Sequence, residues 1–120
     1  MKRDMDLIRQ IALETAELEH DQWLDSLPEV EPHVFAAHVV WMEEAGLVKA
    51  TINQYLSGET SALVQRLTWD GCEFADAVRS DTVWKKAKDN VIKPSASFTF
   101  RFLLDYVKAE IQKGLPTLGG

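Results

Sequence analysis

Apolar and polar positions along this chain pass from a helical spacing to a strand spacing and back to a helical one. From Asp4 to about Leu18 the spacing is helical, with Leu7, Ile8, Ile11 and Leu18 on one face, Asp4 placed as N-cap and Asp6 in the first turn. Over residues 19–31 that period is lost and Pro28 and Pro32 interrupt, which predicts a short strand or irregular link anchored by Trp23 and Leu27. Pro32 then opens a second helix that stops at Gly46. Its inward face is Phe35, His38, Val39 and Met42; its outward face is His33, Val34, Ala37, Val40, Trp41 and Glu44. Leu47–Tyr55 and Ala62–Leu67 read as strands joined by Leu56-Ser57-Gly58-Glu59-Thr60, where Gly58 supplies the turn conformation.

Thr68 is placed to cap a helix from Trp69 to Arg79, and Asp81 to cap another reaching about Ile92. The latter turns Val83, Trp84, Ala87 and Val91 to one side and its lysines to the other. After Pro94, Ser97 can start a last helix that stops at Gly114 and Pro116. Phe98, Phe102, Tyr106 and Ala109 form one stripe on it, and Phe100, Leu103, Leu104, Val107 and Ile111 a second. Together they cover about twice the roughly 100° that a surface helix buries against one core. The expectation is an interface shared with a second subunit, made by Phe98, Phe102, Tyr106, Leu103 and Val107.

A helix with a glycine stop, a two-stranded ribbon and a capped helix is the order of a winged-helix domain. The fold expected is therefore α+β and mainly helical. A winged-helix domain over 1–80 carries a two- or three-stranded β-ribbon, and a C-terminal helical extension over 81–115 packs on it or forms a dimer interface. At 120 residues the chain is expected to be one folding unit.

Charge changes what this fold can be used for. The net charge is −6, and local sums are −5 over residues 1–30, −2 over 31–68, −2 over 69–80 and +3 over 81–113. A polyanion is an unfavourable partner for such a chain. In a winged helix the segment before the ribbon would meet base edges, which requires Arg, Lys, Asn or Gln. None of these occurs between His33 and Gly46, and the ribbon tip from Tyr55 to Ser61 has one acid, Glu59, and no base. The outward residues Val34, Ala37, Val40 and Trp41 are instead apolar, and wetting them is unfavourable by about 25 cal/mol per Å². That face is expected to pack against the chain's own C-terminal helices or a partner, with Trp41 as anchor. Lys85, Lys86 and Lys88 are the candidate phosphate contacts, and they carry no base readout.

The single cysteine, Cys72, excludes an intrachain disulfide and fits a reducing compartment. The N-terminal stretch has acids at Glu14 and Glu17 in place of an uninterrupted apolar run, so a soluble cytoplasmic protein without membrane contact is expected. His20, Asp21, His33 and His38 lack compact ligand spacing, and Glu43 and Glu44 read as a solvated helix end. No phosphate loop, nucleophile elbow or zinc-protease motif occurs. No catalytic residue, metal or cofactor is expected.

The N-terminal MKRDMDLIR, the helix end EEAGLV, the segment RLTWDGCEFADAVRSDTVWKKAK and the amphipathic C-terminal helix resemble the bacterial and prophage family catalogued as domain of unknown function 2513. The resemblance covers nearly the whole chain and is most specific over 1–9 and 67–88. It implies a winged-helix-like fold and carries no established activity, ligand or catalytic residue. Two functions are expected from the residues. The first is a non-enzymatic protein-interaction module, homodimeric, in a mobile-element or regulatory role. The alternative is a nucleic-acid-binding transcriptional regulator that uses its C-terminal basic residues.

Overall fold

The computed structural model describes residues 1–94 and 98–114. Among them are five α-helices, a two-stranded antiparallel sheet and one π-helical turn, a mixed α+β arrangement that is mainly helical. Two compact units divide the chain, one from Met1 to Cys72 and the other from Glu73 onwards. The division falls inside a helix, upstream of the boundary expected after residue 80.

In the first unit, α1 (Met5–Ala16) starts where the Asp4 carboxylate accepts the N–H groups of Asp6 and Leu7, at 3.0 and 3.2 Å. Leu7, Ile8, Ile11, Ala12 and Thr15 are its buried face. The Thr15 hydroxyl is made tolerable inside by donating to the Ile11 carbonyl at 2.7 Å. The link after α1 contains no helix. Leu24 exchanges both backbone hydrogen bonds with Val64, and Leu27 is buried. Trp23, expected as an anchor, is 55% exposed. Successive extended residues point to opposite sides, so half-buried Leu24 and exposed Trp23 lie on opposite faces of the link.

α2 (Pro32–Glu44) buries the expected Phe35, His38, Val39 and Met42, and also Ala36. It ends in a Schellman closure. Gly46, at φ +77°, donates to Glu43, while Leu47 donates to Met42 at 2.9 Å, and both Met42 and Leu47 are buried. The chain then turns directly into β1 (Val48–Gln54), which pairs antiparallel with β2 (Thr60–Leu67). A bulge between Lys49 and Ala50 leaves Gln65 as the extra residue of β2. At the tip, Tyr55 donates to the Glu59 carbonyl at 2.8 Å, and Gly58 (φ +92°) makes the reversal.

The hairpin is tied at its base. The Thr68 hydroxyl donates to the Gly46 carbonyl and accepts the Gly71 N–H at 3.0 Å, capping α3 (Trp69–Val78) as its sequence position predicts. Thr68 N–H also reaches the Leu47 carbonyl at 2.9 Å. A Cβ on Gly71 would stand 2.0 Å from that same carbonyl oxygen, so this approach requires glycine.

In the second unit, the later part of α3 is followed by α4 (Asp81–Ala87), the π turn Lys88–Ile92 and α5 (Phe100–Gly114). The N-cap of α4 is Ser80, whose hydroxyl accepts the Val83 N–H at 3.2 Å; Asp81, expected there, is the first helical residue. Both residue types cap well, and a shift of one position exchanges their roles. Thr99 accepts the Phe102 N–H at 3.2 Å at the start of α5, while the expected start at Ser97 and the stop at Pro116 lie outside the described residues. Phe74 meets Trp84 edge-on at 6.4 Å and lies tilted against Phe100 at 5.4 Å.

Candidate functional site

The outward side of α2 and the hairpin tip face each other across an open cleft of about 790 Å³. Pro32, His33, Ala37, Val40 and Trp41 line the helix side; Gln54, Tyr55, Gly58, Glu59, Thr60 and Ser61 line the hairpin side. An apolar floor under a rim of hydroxyl, amide and carboxylate groups is the general composition of a binding cleft. Of the predicted outward residues, Val34, Ala37, Val40 and Trp41 are all half-buried, and the last three reach the cleft. Tyr55 is 54% exposed, and Leu56 beside it is fully exposed at the end of the hairpin.

The floor is held from behind by His38. A backbone N–H can only donate, so the Asp4 N–H at 2.8 Å makes His38 Nε2 an acceptor. The ring proton therefore sits on Nδ1 and is donated to the Val34 carbonyl, also at 2.8 Å. The edge of this fixed ring meets Trp41 with centroids 5.1 Å apart and planes at 87°. One buried imidazole thus ties α1 to α2 and sets the position of the largest side chain in the cleft. Residues 4 and 38 are far apart in sequence, and no local pattern announces this bond. Sequence reasoning placed His38 inside without its longer-range partner.

A smaller hollow of about 440 Å³ lies beside the end of α1, lined by Leu18, Trp23, Gln65 and the exposed Cys72, among others. Its polar groups are engaged locally. Gln22 accepts the Glu19 N–H at 2.9 Å, and Arg66 donates to the Leu67 carbonyl at 3.1 Å. Exposed His20 stands 3.4 Å from Asp21, and His33 lies on the surface at the start of α2. Among the described residues no three metal-ligating side chains converge.

In the second unit the residues expected to serve together are separated. Leu103 and Val107 are fully buried within the chain, as is Leu104, so the candidate dimer surface on α5 narrows to its other stripe. There Phe102 is 57% exposed, Phe98 is half-buried, and half-buried Tyr106 accepts a hydrogen bond from Asn90 at 2.8 Å. The lysines face acids. Lys85 lies 3.1 Å from Asp89, Lys86 lies 3.5 Å from Glu110, and Lys108 pairs with Glu73. Hydrogen bonds from Lys85 and then Lys93 hold the Asp89 carboxyl below its ordinary range; Lys113, joined by Lys86, does the same for Glu110. Lys88 is half-buried at the start of the π turn.

The family model described as "Hypothetical protein (DUF2513)" matches residues 2–97. The chain belongs to this family. An "Uncharacterized protein" of Haemophilus influenzae is 31% identical over 115 residues, covering 93% of each chain. No solved structure matches. The family match contains the whole α2–hairpin cleft and ends before α5. Among the described residues, no helix is long and apolar enough to cross a membrane.

Proposed function

We propose that this member of the family is a non-enzymatic winged-helix protein-interaction module, cytoplasmic and homodimeric, acting in a regulatory or mobile-element setting. The winged-helix reading is supported by the succession of α1, α2, the hairpin and α3, with the Leu24–Val64 bridge as a rudimentary third strand beside β2. The span between α1 and α2 lacks the helix that would complete a helix-turn-helix, so α2 stands without the usual support of a DNA-reading helix.

The observation that carries the proposal is the surface of α2. Ala37, Val40 and Trp41 remain half-exposed, they form one wall of a cleft, and no Arg, Lys, Asn or Gln lies between His33 and Gly46 to read a base edge. A partner's apolar side chain is the better match for that wall. Phe98 and Phe102 on the open side of α5 are the proposed contact between subunits.

The nucleic-acid alternative draws on the +3 charge over residues 81–113. Lys85 and Lys86 already have carboxylate partners, which lowers the attraction they offer to phosphates. Two measurements separate the readings. Solution mass is expected at twice 13.6 kDa, and a monomeric mass removes the dimer. Mobility shifts on random duplex DNA are expected to stay absent as salt falls. A shift that strengthens at low salt and disappears when Lys85, Lys86 and Lys88 are all changed to alanine overturns the interaction reading.

A further inference from the structure

We propose that the α2–hairpin cleft takes a cationic amphipathic peptide segment, an inference that rests on the cleft being a protein-docking site. Its apolar side chains lie on Ala37, Val40 and Trp41, and its lysine or arginine side chains meet Glu31, Glu44 and Glu59. Glu59 lines the hairpin side of the cleft. Glu31 is the exposed residue just before Pro32, and exposed Glu44 lies one turn beyond Val40 and Trp41 on the same side of α2. Glu31 and Glu44 thus stand at the two ends of α2, and Glu59 on the hairpin side of the cleft. None of the three has an ion pair among the described residues, in contrast to Glu73, Asp89 and Glu110 of the second unit, which all hold lysines. The sole Lys or Arg between residues 30 and 61 is Lys49, paired opposite Arg66 at the base of the hairpin, away from the tip that forms the cleft.

Charge complementarity selects among occupants. A second copy docked cleft to cleft would bring the same carboxylates against themselves, so like charges would meet across the apolar contact. A nucleic acid would be repelled by the same groups. A segment with cations beside aliphatic or aromatic side chains satisfies both parts of the site. Trp41 and Tyr55 add aromatic faces that favour cations near them.

The test uses the full chain, labelled with nitrogen-15, and three short acetylated and amidated peptides. They share leucines and serines in the same order and carry lysine, glutamine or glutamate at the remaining positions. The lysine peptide is expected to shift the amides of Ala37, Val40, Trp41 and Tyr55 to Ser61, and to bind roughly tenfold more tightly than the glutamine peptide. Added salt should narrow that gap. Glu59→Gln, a surface change that leaves the fold intact by circular dichroism, should weaken the lysine peptide by about threefold. Equal binding of the lysine and glutamine peptides overturns the cationic partner and leaves the docking reading standing. Lysine-peptide shifts confined to the acidic surface of α1, or no binding at all, overturn the proposed occupant. If the same cleft amides shift with protein concentration alone, the cleft belongs to a second copy and the proposal fails.

Discussion

The head formed by α2 and the hairpin, and the region formed by α4 and α5, treat their acidic residues in opposite ways. Each has a helix with more apolar surface than one core requires, and each carries several acids. In α5 the stripe of Leu103, Leu104 and Val107 is buried, and the acids nearby hold lysines. In α2 the second face remains half-open over a cleft, and Glu31, Glu44 and Glu59 stand without ion pairs. The first arrangement satisfies its own charged groups, whereas the second leaves an apolar wall and its neighbouring carboxylates open, which is the difference on which the proposed docking role rests.

The largest effects should separate the buried stripes from the open ones. Phe35→Ala in α2 and Leu103→Ala in α5 are each expected to cost about 2–5 kcal/mol in urea unfolding, since both side chains are fully enclosed. Trp41→Ala should cost only about 1 kcal/mol, mainly its contact with His38. Phe102→Ala should stay within about 0.5 kcal/mol for the isolated subunit. A Trp41 cost as large as that of Phe35 would erase the distinction between core and cleft. Next comes the support beneath the cleft: Gly71→Ala must displace the Leu47 backbone or α3, and a loss of about 1–3 kcal/mol is expected. Unchanged stability would mean that the joint gives way easily.

The smallest effect concerns the paired acids. The folded state lowers the pKa of Asp89 and Glu110, so their contribution is present above the unfolded carboxylate range and is lost as pH falls through the lower folded values. A shallow decline in stability below about pH 4 is expected. Asp89→Asn should remove part of it. Both groups lie at the surface, and the slope should flatten further in high salt.

Much of the fold was legible because its determinants are local. The Pro32 start, the Gly46 stop, the inward spacing of Phe35, His38, Val39 and Met42, and the Thr68 cap each depend on residues a few positions apart. What was not legible depends on distant partners. Leu24 pairs with Val64, His38 with Asp4, and Lys86 with Glu110, and periodicity within one element contains none of these pairings. The cleft was half legible. The apolar wall on α2 could be read from its spacing, whereas the opposing tip enters through the rise and twist of the hairpin.

The joint at Thr68 gives the hairpin a mechanical character of its own. Because Gly46 and Thr68 are fastened to each other, the residues between them form an excursion that leaves the body and returns to the same point. Lengthening or shortening such an excursion near Gly58 leaves the end of α2 fastened to Thr68. The reach of one side of the cleft is thus set by hairpin length alone, while the other, α2, keeps its footing.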